Sequence, residues 1–101
     1  MKRILIVCGS GASSGFMAGN IRKAVAAKGK DYEIIARSDS SIEDYIEETD
    51  LLLVGPHLDY ILGELTEIGQ EYGVPVKLIS KEAYGSLDGE AVLNLIIETL
   101  E

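Results

Sequence analysis

The chain has 101 residues, 47% hydrophobic and 26% charged, enough for one domain over residues 1–101 and the wrong composition for a disordered or collagen-like protein. Its longest apolar runs, residues 4–8 and 51–54, fall far short of the ~18–20 that a membrane helix needs, and one cysteine with one histidine excludes an internal disulfide or a Cys-rich zinc site. The net charge of −8 argues against a nucleic-acid backbone as partner.

Residues 3–7, apolar from Ile4 onward without alternation and rich in β-branched side chains, predict a strand buried on both faces. Seven small residues follow Cys8 as a loop: Gly9, Ser10, Gly11, Ala12, Ser13, Ser14 and Gly15. Met17, Ala18, Ile21 and Val25 then recur at helical spacing, with Lys28 and Gly29 as a basic end and a stop. Residues 33–37 form a second strand. Ser40 or Ser41 is expected to cap a helix with Ile42, Tyr45 and Ile46 inward and an acidic outer face. Residues 51–54 are the third strand, ended by Gly55-Pro56. Ile61, Leu62, Leu65, Ile68 and Tyr72 form the stripe of a third helix, which Gly73 and Pro75 stop. A fourth strand over residues 76–79 leads into a loop around Tyr84-Gly85. Asp88 then caps a last helix with Val92, Leu95, Ile96 and Leu100 inward.

Four β-α units predict an α/β fold: a four-stranded parallel sheet with helices on both faces. Ligands in such sheets bind beyond the carboxyl ends of the strands, where the strand order reverses. The loop after the first strand is the most distinctive one there. Successive small residues let backbone N–H groups turn toward one centre, and the following helix adds its positive end. That cradle suits a tetrahedral oxyanion and lowers the pKa of a thiol. Cys8 is therefore a nucleophile at a phosphate-binding loop.

A plain packing turn behind a buried cysteine does not call for seven consecutive tiny residues. A small nucleotide- or flavin-binding module is an alternative, but Gly9-x-Gly11 reaches Gly15 with one residue too many for the dinucleotide fingerprint. A cysteine phosphatase or arsenate-reductase-like enzyme is another alternative. A phosphatase has an Arg six residues after its nucleophile, where this chain has Ser14, and residues 4–21 contain no Lys or Arg. Without a bidentate guanidinium, hydrolysis of a thiophosphate lacks its main charge stabilisation. A phosphoryl carrier fits better, and no metal or diffusible cofactor is required.

The chain resembles the enzyme IIB component of the bacterial sugar phosphotransferase system, lactose/cellobiose/chitobiose class. Three stretches carry the likeness: the strand ending in Cys8 with its Gly/Ser loop, Leu52-Leu53-Val54-Gly55-Pro56-His57-Leu58-Asp59-Tyr60, and Tyr84-Gly85-Ser86-Leu87-Asp88-Gly89. His57 stands where that family often has Gln, and Gly-Ser-Gly-Ala-Ser-Ser follows Cys8 where Ser-x-Gly-Met-Ser-Thr is common. The resemblance implies that Cys8 takes a phosphoryl group from a phosphohistidine on enzyme IIA. It also implies transfer to a sugar, of β-linked disaccharide type, held by the membrane permease enzyme IIC.

His57, after the third strand, is either a donor to the phosphoryl group or an exposed loop histidine. Tyr84 either closes over the loop or packs on its rim. Lys2 and Arg3 precede too few apolar residues for an export signal, so a cytoplasmic protein is expected, without membrane insertion of its own. Charge is uneven along the chain. Residues 1–37 hold seven basic and two acidic side chains, whereas residues 38–101 hold two and fifteen.

Overall fold

The strand β1 (Lys2–Val7) is fully buried from Ile4 onward, the environment its unalternating sequence demands. In the computed structural model, which describes residues 1–7 and 12–101, β1 lies inside a parallel sheet of order β2-β1-β3-β4. Its neighbours are β2 (Tyr32–Arg37) and β3 (Leu51–Val54), and β4 (Val76–Leu78) closes the far edge beside β3. Register brings Val7 opposite both Arg37 and Val54, so the carboxyl ends of three strands are level.

Alternation along β1 divides the core in two. Ile4 and Ile6 join Leu51 and Leu53 under α1 (Ala12–Ala27) and α5 (Gly89–Leu100), where Met17, Ala18, Ile21, Val92, Leu93 and Ile96 are buried. Leu5 and Val7 join Leu52 and Val54 on the opposite face, against Ile42, Ile46, Leu58 and Leu65. The last two come from a 3₁₀ turn, Pro56–Ile61, and from α3 (Leu62–Tyr72). Among the described residues no helix is long and apolar enough to cross a membrane.

Four expectations change. The small-residue loop is shorter than predicted, because Ala12 to Gly15 already belong to α1. Packing of Met17 and Ala18 anchors the helix, and Ala and Ser let it propagate backward. The second helix is broken: α2 (Ile42–Tyr45) is one turn between the 3₁₀ turns Asp39–Ser41 and Ile46–Glu48. Glu43 and Glu47, like Asp44 and Glu48, are like charges four residues apart with no intervening base. Ser41 occupies the N-cap position without a side-chain cap bond, so neither it nor Ser40 caps as predicted. Finally, the stretch expected as a loop around Tyr84 contains α4 (Lys81–Gly85), capped by Ser80, whose side chain accepts from the Ala83 N–H at 3.1 Å. Tyr72, expected on the inward stripe, is 44% exposed at the helix end, where Gly73 turns left-handed (φ 71°).

Two close features test this packing. A Cβ on Gly89 would stand 2.3 Å from the Asn20 carbonyl oxygen and 2.9 Å from the Ile21 nitrogen, so α1 and α5 approach as closely as they do because Gly89 has no side chain. Gly19, mid-helix on α1, has open space around it. Gly89→Ala is expected to destabilise by ~1–3 kcal/mol in urea titration. Gly19→Ala should instead stabilise by ~0.5–1 kcal/mol, the ordinary helix gain over glycine. Equal effects would contradict the α1–α5 contact.

At the other end of the sheet, the Tyr32 hydroxyl donates to the Glu101 carboxylate, which also pairs with Lys30 at 2.9 Å. Burial first, then Glu101, pushes the Tyr32 phenol up to about 12. A raised pKa in the folded state favours the neutral phenol. Its contribution to stability is therefore complete below the ordinary value near 10 and is lost as pH rises toward 12. In a 295 nm titration, Tyr32→Phe should remove a late-ionising component. A wild-type curve that completes all five tyrosines near pH 10 would refute the clamp.

Candidate active site

The connection between β1 and α1 opens at the point where the chain, having laid β2 on one side of β1, crosses to place β3 on the other. Cys8, Gly9, Ser10 and Gly11 lie outside the described residues, and the structure gives the frame around them. Val7 ends β1 directly before Cys8, and Ala12 starts α1 directly after Gly11. The first turn of α1 holds no acidic residue to oppose an anion at its positive end.

The second wall is built from β3. The Gly55 N–H donates to the Val7 carbonyl at 3.0 Å, extending the β1–β3 ladder one residue past the strand. Pro56 then starts the 3₁₀ turn, with its fixed φ and missing N–H suited to a first helical position. The Leu58 N–H closes the turn on the Gly55 carbonyl at 3.0 Å, and Leu58 is buried as its apolar anchor. His57 is thereby held, exposed, two residues past Gly55, which makes the last bond of the β1–β3 ladder.

The third wall comes from β4. The Ile79 N–H donates to the Val54 carbonyl at 2.8 Å, and α4 carries Tyr84 back toward His57. The two rings meet edge-on, centroids 5.5 Å apart at 63°. Tyr84 is held from behind. The Leu87 N–H donates to its carbonyl at 3.1 Å, and Leu87, in the left-handed region (φ 53°), has its own carbonyl bound by Asn20 Nδ2 at 2.8 Å. Asp88 then caps α5 through Ala91 N–H at 3.1 Å. The Tyr84-to-Gly89 motif thus has a physical purpose: turn, cap and close helix approach, which together fix Tyr84.

Of the site residues read from sequence, the fold brings His57 and Tyr84 together at the carboxyl edge. Ala12, Ser13, Ser14 and Gly15 are placed in the first turn of α1. Sequence reasoning looked for a cation within residues 4–21 and passed over Arg37, which ends β2 in register with Val7. Its guanidinium lies over the Tyr45 ring at 5.0 Å, and Nε donates to the Tyr45 hydroxyl at 2.9 Å. The sequence signal is a cation closing the strand next to the one that leads into Cys8.

A four-stranded parallel sheet flanked by helices, with a cysteine directly after its first strand, defines a class of small α/β domains. Residues 3–95 match the family described as PTS system, Lactose/Cellobiose specific IIB subunit. The chain belongs to that family, and with it to the phosphotransferases of the sugar phosphotransferase system. It is 35% identical, over 91% of its own length and 90% of theirs, to a galactose-specific EIIB component of Lactococcus lactis subsp. cremoris and a cellobiose-specific EIIB component of Lactococcus lactis subsp. lactis. It also aligns at 24% identity with 17% of a lactose-specific EIICB component of Lacticaseibacillus casei. In fold it matches the lactose-specific IIB domain of Streptococcus pneumoniae with a TM-score of 0.89, at 15% identity and 99% and 98% coverage of the two chains.

His57 is the sole histidine of the chain, so its ring protons are assigned without ambiguity in a proton NMR spectrum. They should carry a ring-current shift from Tyr84 that disappears in Tyr84→Leu, while the dispersion of the core methyls persists. A His57 spectrum unchanged by that substitution would show that the edge contact does not form.

Proposed function

We propose that Cys8 is the phosphoryl acceptor and that residues 1–101 act as one EIIB domain in the cytoplasm. The family match over residues 3–95 carries the reading, and Cys8 at the β1–α1 junction is its chemical centre. The Sγ thiolate attacks the phosphorus of a phosphohistidine on enzyme IIA. An S–P bond forms as the P–N bond breaks, and the imidazole leaves with the electron pair. A sugar hydroxyl held by enzyme IIC then attacks the same phosphorus, loses its proton, and expels the Cys8 thiolate. Backbone N–H groups of residues 9–15 and the start of α1 supply the electrostatic stabilisation. His57 donates to a phosphoryl oxygen, with Tyr84 fixing its ring.

The partners follow from the same reading. A relative named EIICB joins B and C components, which supports a permease as the acceptor's holder. The relatives bear the names of different sugars, and a β-linked disaccharide is proposed as the class on the cellobiose- and oligo-beta-mannoside-specific ones, against a galactose-specific one. Carrier is favoured over hydrolase because residues 4–21 have no cation, and Arg37, the cation in register with Val7, is engaged by Tyr45.

Incubation with phosphorylated enzyme IIA should add one phosphoryl mass to the intact protein. Cys8→Ser, whose alcohol stays protonated at neutral pH, should add none while folding normally. The phospho-form should persist in buffer and discharge promptly when unphosphorylated enzyme IIA is returned. Phosphate on the Ser variant would move the acceptor elsewhere, and rapid loss in buffer alone would favour the hydrolase.

The free thiol should also titrate below the ~8.5 of an ordinary cysteine, and only moderately so without an adjacent cation. The pH profile of iodoacetamide alkylation measures it. A midpoint at or above the free value would remove the anion cradle from the proposal.

A further inference from the structure

The layer of the protein that covers Leu5, Val7, Leu52 and Val54 has a charge property unlike the rest. From residue 38 to residue 76 there are ten acidic side chains and no Lys or Arg. This stretch contains α2, its flanking 3₁₀ turns, β3, the Pro56–Ile61 turn and α3. The opposite layer carries Arg22 and Lys23 on α1.

Within the acidic layer a groove of about 270 Å³ runs between α2 and α3. Ile42, Ile61, Leu65 and Ile68 form its apolar floor, and Asp39, Glu43 and Glu64 its rim. Asp39 stands two residues past the end of β2, and Ile61 ends the turn that holds His57. The groove therefore opens at the same sheet edge as the site, on the face away from α1.

An apolar floor with an anionic rim selects an occupant that presents an aliphatic or aromatic tip among Lys or Arg side chains. Membrane proteins carry such sequences systematically, because their cytoplasmic loops are enriched in Lys and Arg. We propose that this groove docks a basic, apolar-tipped segment on the cytoplasmic face of the membrane permease, an inference that rests on the proposed transfer to enzyme IIC. The lipid surface itself is a poor occupant, since the cytoplasmic leaflet is anionic and the groove has no cation to offer it. Docking here leaves the β1–α1 junction beside the permease rather than beneath it, so the phosphoryl group and the binding energy come from separate surfaces.

The test uses the full chain and inverted membrane vesicles containing its cognate EIIC permease, with permease-free vesicles as reference. Wild-type protein should co-sediment with the permease vesicles and release as ionic strength rises from ~0.05 to ~0.5 M. The reversal E43K/E64K, at two exposed positions, should weaken binding by ~10-fold or more at low salt. E90K/E98K, the same change of charge on α5, should leave it near wild type. Cys8→Ser should bind as wild type does, so failure of Cys8 as the acceptor leaves this comparison intact. Wild-type binding equal on both kinds of vesicle would overturn the inference, as would E43K/E64K binding like wild type. Two other outcomes would also overturn it. A matching loss of phosphoryl uptake from enzyme IIA assigns the groove to the donor, and a salt-sensitive self-association lost in E43K/E64K assigns it to a second copy of the chain.

Discussion

The two parallel ladders of β1 hold the functional edge in place. Because β1 pairs with β2 through six residues and with β3 through four, Val7 is level with Arg37 and Val54. The residue after each strand therefore emerges at one height. Gly55 continues the ladder by one bond to Val7, which sets where Pro56 turns and where His57 stands. Slipping β3 by a single residue would exchange Leu52 and Val54 with Leu51 and Leu53 between the two cores, and would carry His57 away with them. Because both faces of β3 are apolar, register here rests on the fit of differently shaped side chains and on bonds such as Gly55 to Val7, and not on hydrophobic alternation.

Around that fixed edge the helices are placed by a few local devices with separate physical causes. Gly89 permits α5 to approach the α1 backbone, Asn20 holds the Leu87 carbonyl, and Asp88 caps the helix that follows. The turn between α4 and α5 costs backbone strain at Leu87, which lies in the left-handed region with a branched aliphatic side chain. That strain is offset by the cap, by the Asn20 bond and by packing of Leu87 against the α1–α5 core. Tyr84 gains a defined position from it.

The strands and the core were legible in sequence because buried parallel strands write themselves as unbroken apolar runs. Residues 4–7 and 51–54 are such runs. Helix ends with a chemical marker were legible too: Asp88 before α5 and Gly73 after α3. What escaped was decided by contacts between distant residues. Nothing local distinguishes Ser80, a working cap, from Ser41, which occupies a cap position without bonding. The backward growth of α1 to Ala12 depends on packing that begins at Met17. Arg37 was visible as a strand-ending cation, but its tie to Tyr45 requires knowing that β2 and α2 share a face. His57 and Tyr84, 27 residues apart in sequence, were each visible at the edge, and only the fold makes them a pair.

Charge placement bears on why a carrier would be built this way. A protein that takes a phosphoryl group and gives it up must not stabilise the phosphorylated state so well that the second transfer slows, since equal stabilisation of intermediate and transition state gains nothing in rate. A guanidinium fork would bind a dianionic thiophosphate strongly whether or not an acceptor had arrived. Neutral N–H donors at a helix start bind it less tightly and respond to the geometry of in-line transfer. The sequence keeps Lys and Arg out of residues 4–21, and the fold turns the guanidinium beside Val7 onto an aromatic ring. On the proposed reading, in which Cys8 is a weakly binding covalent centre, affinity for each partner has to be supplied by other surface. An acidic, apolar-floored groove at the same edge, outside the junction that holds the cysteine, is surface of that kind.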